Sequence, residues 1–149
     1  MKTLRTTSEN PDFQKLVTQL DAYLAVMDGE EHAFYNQYNK IDMLKHCIVI
    51  YDNDEAVACG AIKALDSESM EVKRMFTLPE KRGKGLASAI LNELEAWAKE
   101  LGYEKTVLET GKRQTEAVAL YQKCGYNIIP NYGQYEGIEN SICFEKVLK

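Results

Sequence analysis

Arg82-Gly83-Lys84-Gly85-Leu86-Ala87 is the stretch on which the reading of this chain turns. Upstream, Glu71-Val72-Lys73-Arg74-Met75-Phe76-Thr77 has the pattern of a strand and runs into Pro79. Downstream, Leu86, Ile90, Leu94, Trp97 and Leu101 recur at helical spacing, with Asn92, Glu95, Lys99 and Glu100 as the polar side. Two glycines and a basic pair at a strand-to-helix turn suit an anion. Glycine lets main-chain N–H groups come close to a ligand and accepts φ values that other residues resist. A helix start adds unsatisfied N–H donors and a partial positive charge, which together fit a phosphate or pyrophosphate.

Two familiar phosphate loops do not match. The P-loop needs Gly-x-x-x-x-Gly-Lys followed by Ser or Thr, a string absent from this sequence. The dinucleotide fingerprint needs Gly-x-Gly-x-x-Gly or Ala, whereas Gly83-x-Gly85-x-x-Ser88 misses its last position and lies in mid-chain.

Working outward, Thr3 to Thr7 reads as a first strand. Asn10 and Pro11 then start a helix carrying Phe13, Leu16, Val17, Leu20, Tyr23 and Leu24, which ends at Asp28-Gly29. Glu31 to Tyr38 reads as a second short helix. Cys47 to Tyr51 and Ala56 to Ala64 form a hairpin around Asp52-Asn53-Asp54, and Met70 to Thr77 is the fourth strand. After the helix from Gly85 to Leu101, closed by Gly102, come a strand at Thr106 to Glu109 and a helix from Thr115 to Lys123. Strands at Tyr126 to Ile129 and Ser141 to Val147 complete the order β-α-α-β-β-β-α-β-α-β-β. The expected class is α/β (α+β), with a mixed central sheet of about seven strands and flanking helices.

The loop fits the pattern Arg/Gln-x-x-Gly-x-Gly/Ala through Arg82, Gly85 and Ala87. With the strand before it and the segment Ala117-Val118-Ala119-Leu120-Tyr121-Gln122-Lys123-Cys124-Gly125-Tyr126 after it, the chain resembles the GNAT (Gcn5-related N-acetyltransferase) superfamily. The resemblance is specific from Glu71 to Ile129. It implies a single domain over residues 1–149 that moves an acetyl group from acetyl-CoA to a primary amine of a small molecule or protein, by direct attack.

The resemblance also assigns residues. Arg82, Gly83, Lys84, Gly85, Leu86, Ala87 and Ser88 would hold the pyrophosphate, chiefly through main-chain N–H groups. Met75, Phe76 and Thr77 would pair with the pantetheine arm as a strand edge does. Tyr121 stands at the position of the general acid that protonates the leaving thiolate. Gln114 stands where the family often has a cofactor-binding Asn. Glu71 is a candidate base, with Glu109 or a water chain as rivals. Strict alternation would put Glu71, Lys73, Met75 and Thr77 on one face and Val72, Arg74 and Phe76 on the other.

The acceptor region implied by the resemblance offers Glu31, His32 and Tyr35 early in the chain and Tyr132, Tyr135 and Glu136 late, with Glu109 between. Acidic groups among tyrosines suit a cationic amine. Two other readings stay open: a catalytically silent acyl-CoA-binding sensor, and an acyltransferase using another acyl-CoA or an O-acceptor. A homodimer is also open, because Ile142-Cys143-Phe144 suits an interface or an interior strand equally well.

Composition narrows the class further. At 149 residues and a net charge of -5, no general affinity for nucleic acid or anionic membrane is expected. No apolar run is long enough to span a bilayer, and no secretory leader pattern opens the sequence. Cys47, Cys59, Cys124 and Cys143 lack metal-ligand spacing, and with His32 and His46 they imply no metal site. A reduced, cytoplasmic setting is expected.

Overall fold

In the computed structural model, residues 1–29 and 43–149 are described. The expected helix at Glu31 to Tyr38 and the candidate acceptor residues Glu31, His32 and Tyr35 lie outside them. The strands are β1 (Lys2–Thr6), β2 (His46–Asp52), β3 (Glu55–Ala64), β4 (Ser69–Thr77), β5 (Lys105–Gly111), β6 (Asn127–Ile129) and β7 (Ser141–Val147). The helices are α1 (Pro11–Asp28), α2 (Leu86–Glu100) and α3 (Thr115–Lys123). The strands form one sheet in the order β1-β2-β3-β4-β5-β7-β6, antiparallel everywhere except between β4 and β5. The expected mixed seven-stranded sheet is thus the observed one. β7 lies inside it, between β5 and β6, which is why Cys143 and Phe144 are buried.

Local chemistry sets where each helix begins. Asn10 caps α1 by accepting the Phe13 N–H at 2.9 Å, with Pro11 in the first turn, where its missing N–H costs nothing. The helix buries Phe13, Leu16, Val17 and Leu20 against the sheet. Gly85, at φ 80°, is the N-cap of α2, and Gly102, at φ 92°, lies just past its end.

The apolar stripe of α2 is rotated from the expected one. Leu86, Ile90 and Leu94 are buried as anticipated, but Leu91 and Ala98 join them, while Leu101 is 42% exposed. Trp97 sits at the edge, with the His46 ring edge-on at 4.8 Å and the Arg5 guanidinium 4.8 Å from its centroid. Glu95, expected on the polar side, is buried. Its carboxylate accepts from Tyr126 Oη at 3.0 Å and from Lys146 Nζ at 2.8 Å, and the Tyr126 hydroxyl also meets Thr106 Oγ1 at 2.8 Å. A charge removed from water is tolerated there because it is paired and hydrogen-bonded.

Alternation along β4 breaks at a bulge. Cys59 pairs with Phe76 and Ala61 with Lys73, so two steps on β3 face three on β4. Arg74 takes up the extra residue at φ 59°. Opposite it, a Cβ on Gly60 would meet Ile90 Cγ2 at 2.5 Å, Met75 Sδ at 2.7 Å and Leu94 Cδ1 at 3.1 Å. Met75 therefore points at α2. Arg74 reaches Asp21 on α1 at 2.8 Å, and Phe76 lies, like Tyr23 of α1, beside the Arg82 guanidinium. The expected grouping of Glu71 and Lys73 with Met75 and Thr77 fails for this reason: one inserted residue reverses the phase.

Candidate active site

The parallel pairing of β4 with β5 covers only Ser69 with Lys105, Met70 with Thr106, and Glu71 with Val107. Beyond Glu71, β4 continues to Thr77 and β5 to Gly111 without pairing, and the strands open into a cleft. Two cavities occupy it. A larger one, of about 380 Å³, runs along Met75, Phe76 and Thr77 to the start of α2. A smaller one, of about 90 Å³, lies toward α1 and β5. Leu20, Met75, Gln114 and Tyr121 line both.

At the start of α2 the wall of the larger cavity is main chain. A turn at Pro79–Lys81 leads into Arg82, and Gly83 and Gly85 both adopt φ 80°. A Cβ at either glycine would meet nothing within 4 Å, so conformation rather than crowding demands glycine, and the space beside the loop is open. The first-turn N–H groups at Leu86, Ala87 and Ser88 have no partners within the helix. The N–H of Arg82 donates to Pro79 O at 3.3 Å, so the donors open to a ligand begin after it. Its Nε donates to Thr77 O at 3.1 Å, and its guanidinium lies 5.4 Å from the Tyr23 ring centroid, which braces the loop against β4 and α1. Lys84 is exposed beside the loop, and Lys81 lies 3.5 Å from Asp52.

Tyr121 enters from α3 at the junction of the two cavities. Its ring packs at 6.0 Å from Tyr126 and 5.9 Å from Phe144. Burial, reinforced by the charges at Glu109 and Cys124, holds its phenol protonated well above the usual range.

The smaller cavity is walled by charged side chains. Glu71 is buried and accepts a 2.6 Å hydrogen bond from Tyr132 Oη, with Lys73 Nζ 3.5 Å from its other oxygen. Glu109 of β5 and the buried Tyr135 line it too, as do Leu20 and Leu24 of α1. Tyr135 is pushed upward by burial, then by Glu109 and Glu71, and stands edge-on to Tyr132 at 5.8 Å. Of the acceptor residues expected from the sequence, Glu109 and Tyr135 therefore lie in the cavity wall, Tyr132 acts on it through Glu71, and Glu136 lines neither cavity.

Sequence reasoning missed the two cations of this wall, Lys73 and Arg74. The available signal was a basic pair inside an otherwise apolar run. Reading it required knowing that the strand carries a bulge. Among the described residues no group of three or more His, Cys, Asp or Glu side chains could hold a metal ion, and no helix is long and apolar enough to cross a membrane.

Comparison with known proteins agrees with this geometry. The model of the acetyltransferase (GNAT) family matches residues 10–126. An IAA acetyltransferase of Azospirillum brasilense is 32% identical over 137 residues, 90% of this chain and 89% of that protein. A Klebsiella pneumoniae structure, named as a candidate acyl-CoA N-acyltransferase, superposes with TM-score 0.83 at 28% identity over 99% of this chain and 97% of that one. A GNAT acetyltransferase of Elizabethkingia anophelis with acetyl-CoA bound shares the fold, at TM-score 0.69 and 19% identity over 99% and 97% of the two chains.

Proposed function

Because the chain belongs to the GNAT acetyltransferase family, we propose that it transfers an acetyl group from acetyl-CoA to an amine, with both substrates meeting at Tyr121. The observation that carries this reading is the pair of cavities that share Tyr121 at the opening between β4 and β5.

The larger cavity suits the cofactor. Gly83 and Gly85 leave open space before a helix start, so the N–H groups from Gly83 to Ser88 can take the pyrophosphate oxygens. Met75, Phe76 and Thr77 offer a strand edge that β5 does not use, which suits an extended amide arm. Gln114 lies where both cavities meet and can orient that arm's end.

Acetyl-CoA supplies the thioester whose C–S bond breaks as the acceptor's C–N bond forms. Tyr121 gives its phenolic proton to the departing sulfur, a role open to it because it stands where both cavities meet. Glu71 takes the proton that the nitrogen loses, while Tyr132 and Lys73 hold its carboxylate in place. Glu109 is the alternative base from the facing strand. One proton leaves the nitrogen and one reaches the sulfur, so the exchange balances.

Thiol release from acetyl-CoA in the presence of an amine library tests the proposal. Amine-dependent release that Tyr121→Phe slows is the expected result. Tight acetyl-CoA binding without release for any amine would instead favour a silent acyl-CoA sensor.

A further inference from the structure

α3 carries Tyr121 but has little of its own to hold it in place. A helix of nine residues is too short to persist alone, and Tyr121 is the one residue of it that is buried. The register of Tyr121 against the cofactor loop therefore depends on what grips the helix from outside. Its C-terminal end is gripped from α2. Cys124 is the C-cap, and its carbonyl accepts from Lys146 Nζ at 2.9 Å. The same ammonium donates to Glu95 Oε1 at 2.8 Å, and Tyr126 Oη donates to Glu95 Oε2 at 3.0 Å. One carboxylate on α2 thus holds both the cation that caps α3 and the tyrosine just beyond the cap.

Tyr126 also reaches the sheet. A carboxylate only accepts, so the single phenolic hydrogen goes to Glu95, and Thr106 Oγ1 donates to the phenol oxygen at 2.8 Å. Thr106 pairs with Met70, one pair before β4 and β5 separate. Tyr126 passes this constraint to Tyr121. Its N–H donates to Tyr121 O at 3.0 Å, and the two rings stand 6.0 Å apart. A second tie joins the same helices, since Ser88 Oγ, in the first turn of α2 beside the larger cavity, lies 3.6 Å from Cys124 Sγ. Ser88 and Glu95 are two turns apart, about 10 Å along α2, so the end of α3 is held at two separate points.

Burial of Glu95 is not something that packing requires. A buried ion pair exchanged for apolar side chains of similar size is often neutral or better for stability. What a satisfied, directional network adds is one fixed arrangement of the groups that it joins. We propose that Glu95 is a positioning residue: through Lys146 and Tyr126 it sets the Tyr121 phenol against a thioester held at the start of α2. Glu95 lines neither cavity, so it acts only through those partners. The inference rests on Tyr121 as the acid and adds what places that acid.

The experiment exchanges the ion pair as a unit. In the double variant Glu95→Leu with Lys146→Met both charges leave together and none is stranded, so the melting temperature should stay close to that of the wild type. Tyr126→Phe is a milder probe that keeps the ring and removes the hydroxyl. Each is assayed by thiol release with the fastest-reacting amine of the library, alone and combined with Tyr121→Phe, and is titrated with acetyl-CoA. The expected result is a fall in kcat of about tenfold or more for the paired exchange and about threefold for Tyr126→Phe, with acetyl-CoA affinity within about twofold in both. Beside Tyr121→Phe neither change lowers kcat further, because no acid is left to misplace, whereas general structural damage would lower it in either background. If the paired exchange does not fold, Tyr126→Phe decides by the same readings. An unchanged kcat, a fall that persists in full beside Tyr121→Phe, or a fall matched by lost acetyl-CoA affinity would overturn the proposal and leave the acetyltransferase reading in place. Full turnover in Tyr121→Phe alone would overturn the acid and its positioning together. Acetyl-CoA binding with no release for any amine would overturn the acetyltransferase reading as well.

Discussion

The larger and smaller cavities share Tyr121 but are made of different material. The larger is walled near α2 by main chain: two glycines at φ 80°, a helix start and a free strand edge. The smaller is walled by side chains from α1, β4, β5 and the loop before β7. A main-chain site needs a short contiguous string and tolerates change in its neighbours. A side-chain site draws single residues from distant parts of the chain, so its charge pattern can be altered one residue at a time. The first kind suits a ligand that stays the same, the second a ligand that differs from protein to protein.

Substitution in the loop gives the largest expected effect. Gly85→Glu would place a strained, negatively charged side chain where an anion is held, and acetyl-CoA affinity should fall at least about 100-fold, a loss near 3 kcal/mol. Titration of the folded variant reads this directly, and unchanged affinity would dissolve the main-chain account. Next comes the shared residue. Tyr121→Phe should lower kcat by about 100-fold or more while acetyl-CoA affinity stays within a few-fold. Full turnover would mean that the junction has no acid.

Gly60→Ala probes the packing beneath both cavities. Its methyl would enter space held by Ile90, Met75 and Leu94, so chemical denaturation should show a loss of about 1–3 kcal/mol. No loss would show that the bulge in β4 yields easily. The smallest expected change is a slope with pH. Tyr121, Tyr126, Tyr132 and Tyr135 are all pushed above the ordinary phenol range, mainly by burial. Above pH 10 the unfolded chain gives up these protons while the folded one keeps them. Stability is therefore full below about pH 10 and declines as pH rises further. A melting temperature flat from pH 9 to 11.5 would contradict that burial.

What the sequence disclosed follows the same division. Arg82 to Ala87, the strand before them and the Tyr121 segment are contiguous strings, and they pointed to the family and to the sheet around it. Period-2 alternation misplaced Met75 relative to Glu71 because a single inserted residue at Arg74 leaves no mark in composition. Glu95 looked like a surface carboxylate because its partners, Tyr126 and Lys146, are 31 and 51 residues away. Tyr132 was singled out from the sequence, but its bond to Glu71 crosses 61 residues and could not be read there.

The central claim is that the opening between β4 and β5 holds acetyl-CoA on main-chain donors at the start of α2. Calorimetric titration of acetyl-CoA into the wild-type protein and into Gly85→Glu tests it most directly, with free CoA and NADH as controls. The account predicts micromolar binding of acetyl-CoA and CoA to the wild type, none of NADH, and none of any of them to Gly85→Glu. Folded wild-type protein that takes up no CoA, or a Gly85→Glu variant that binds it as tightly, would contradict the account.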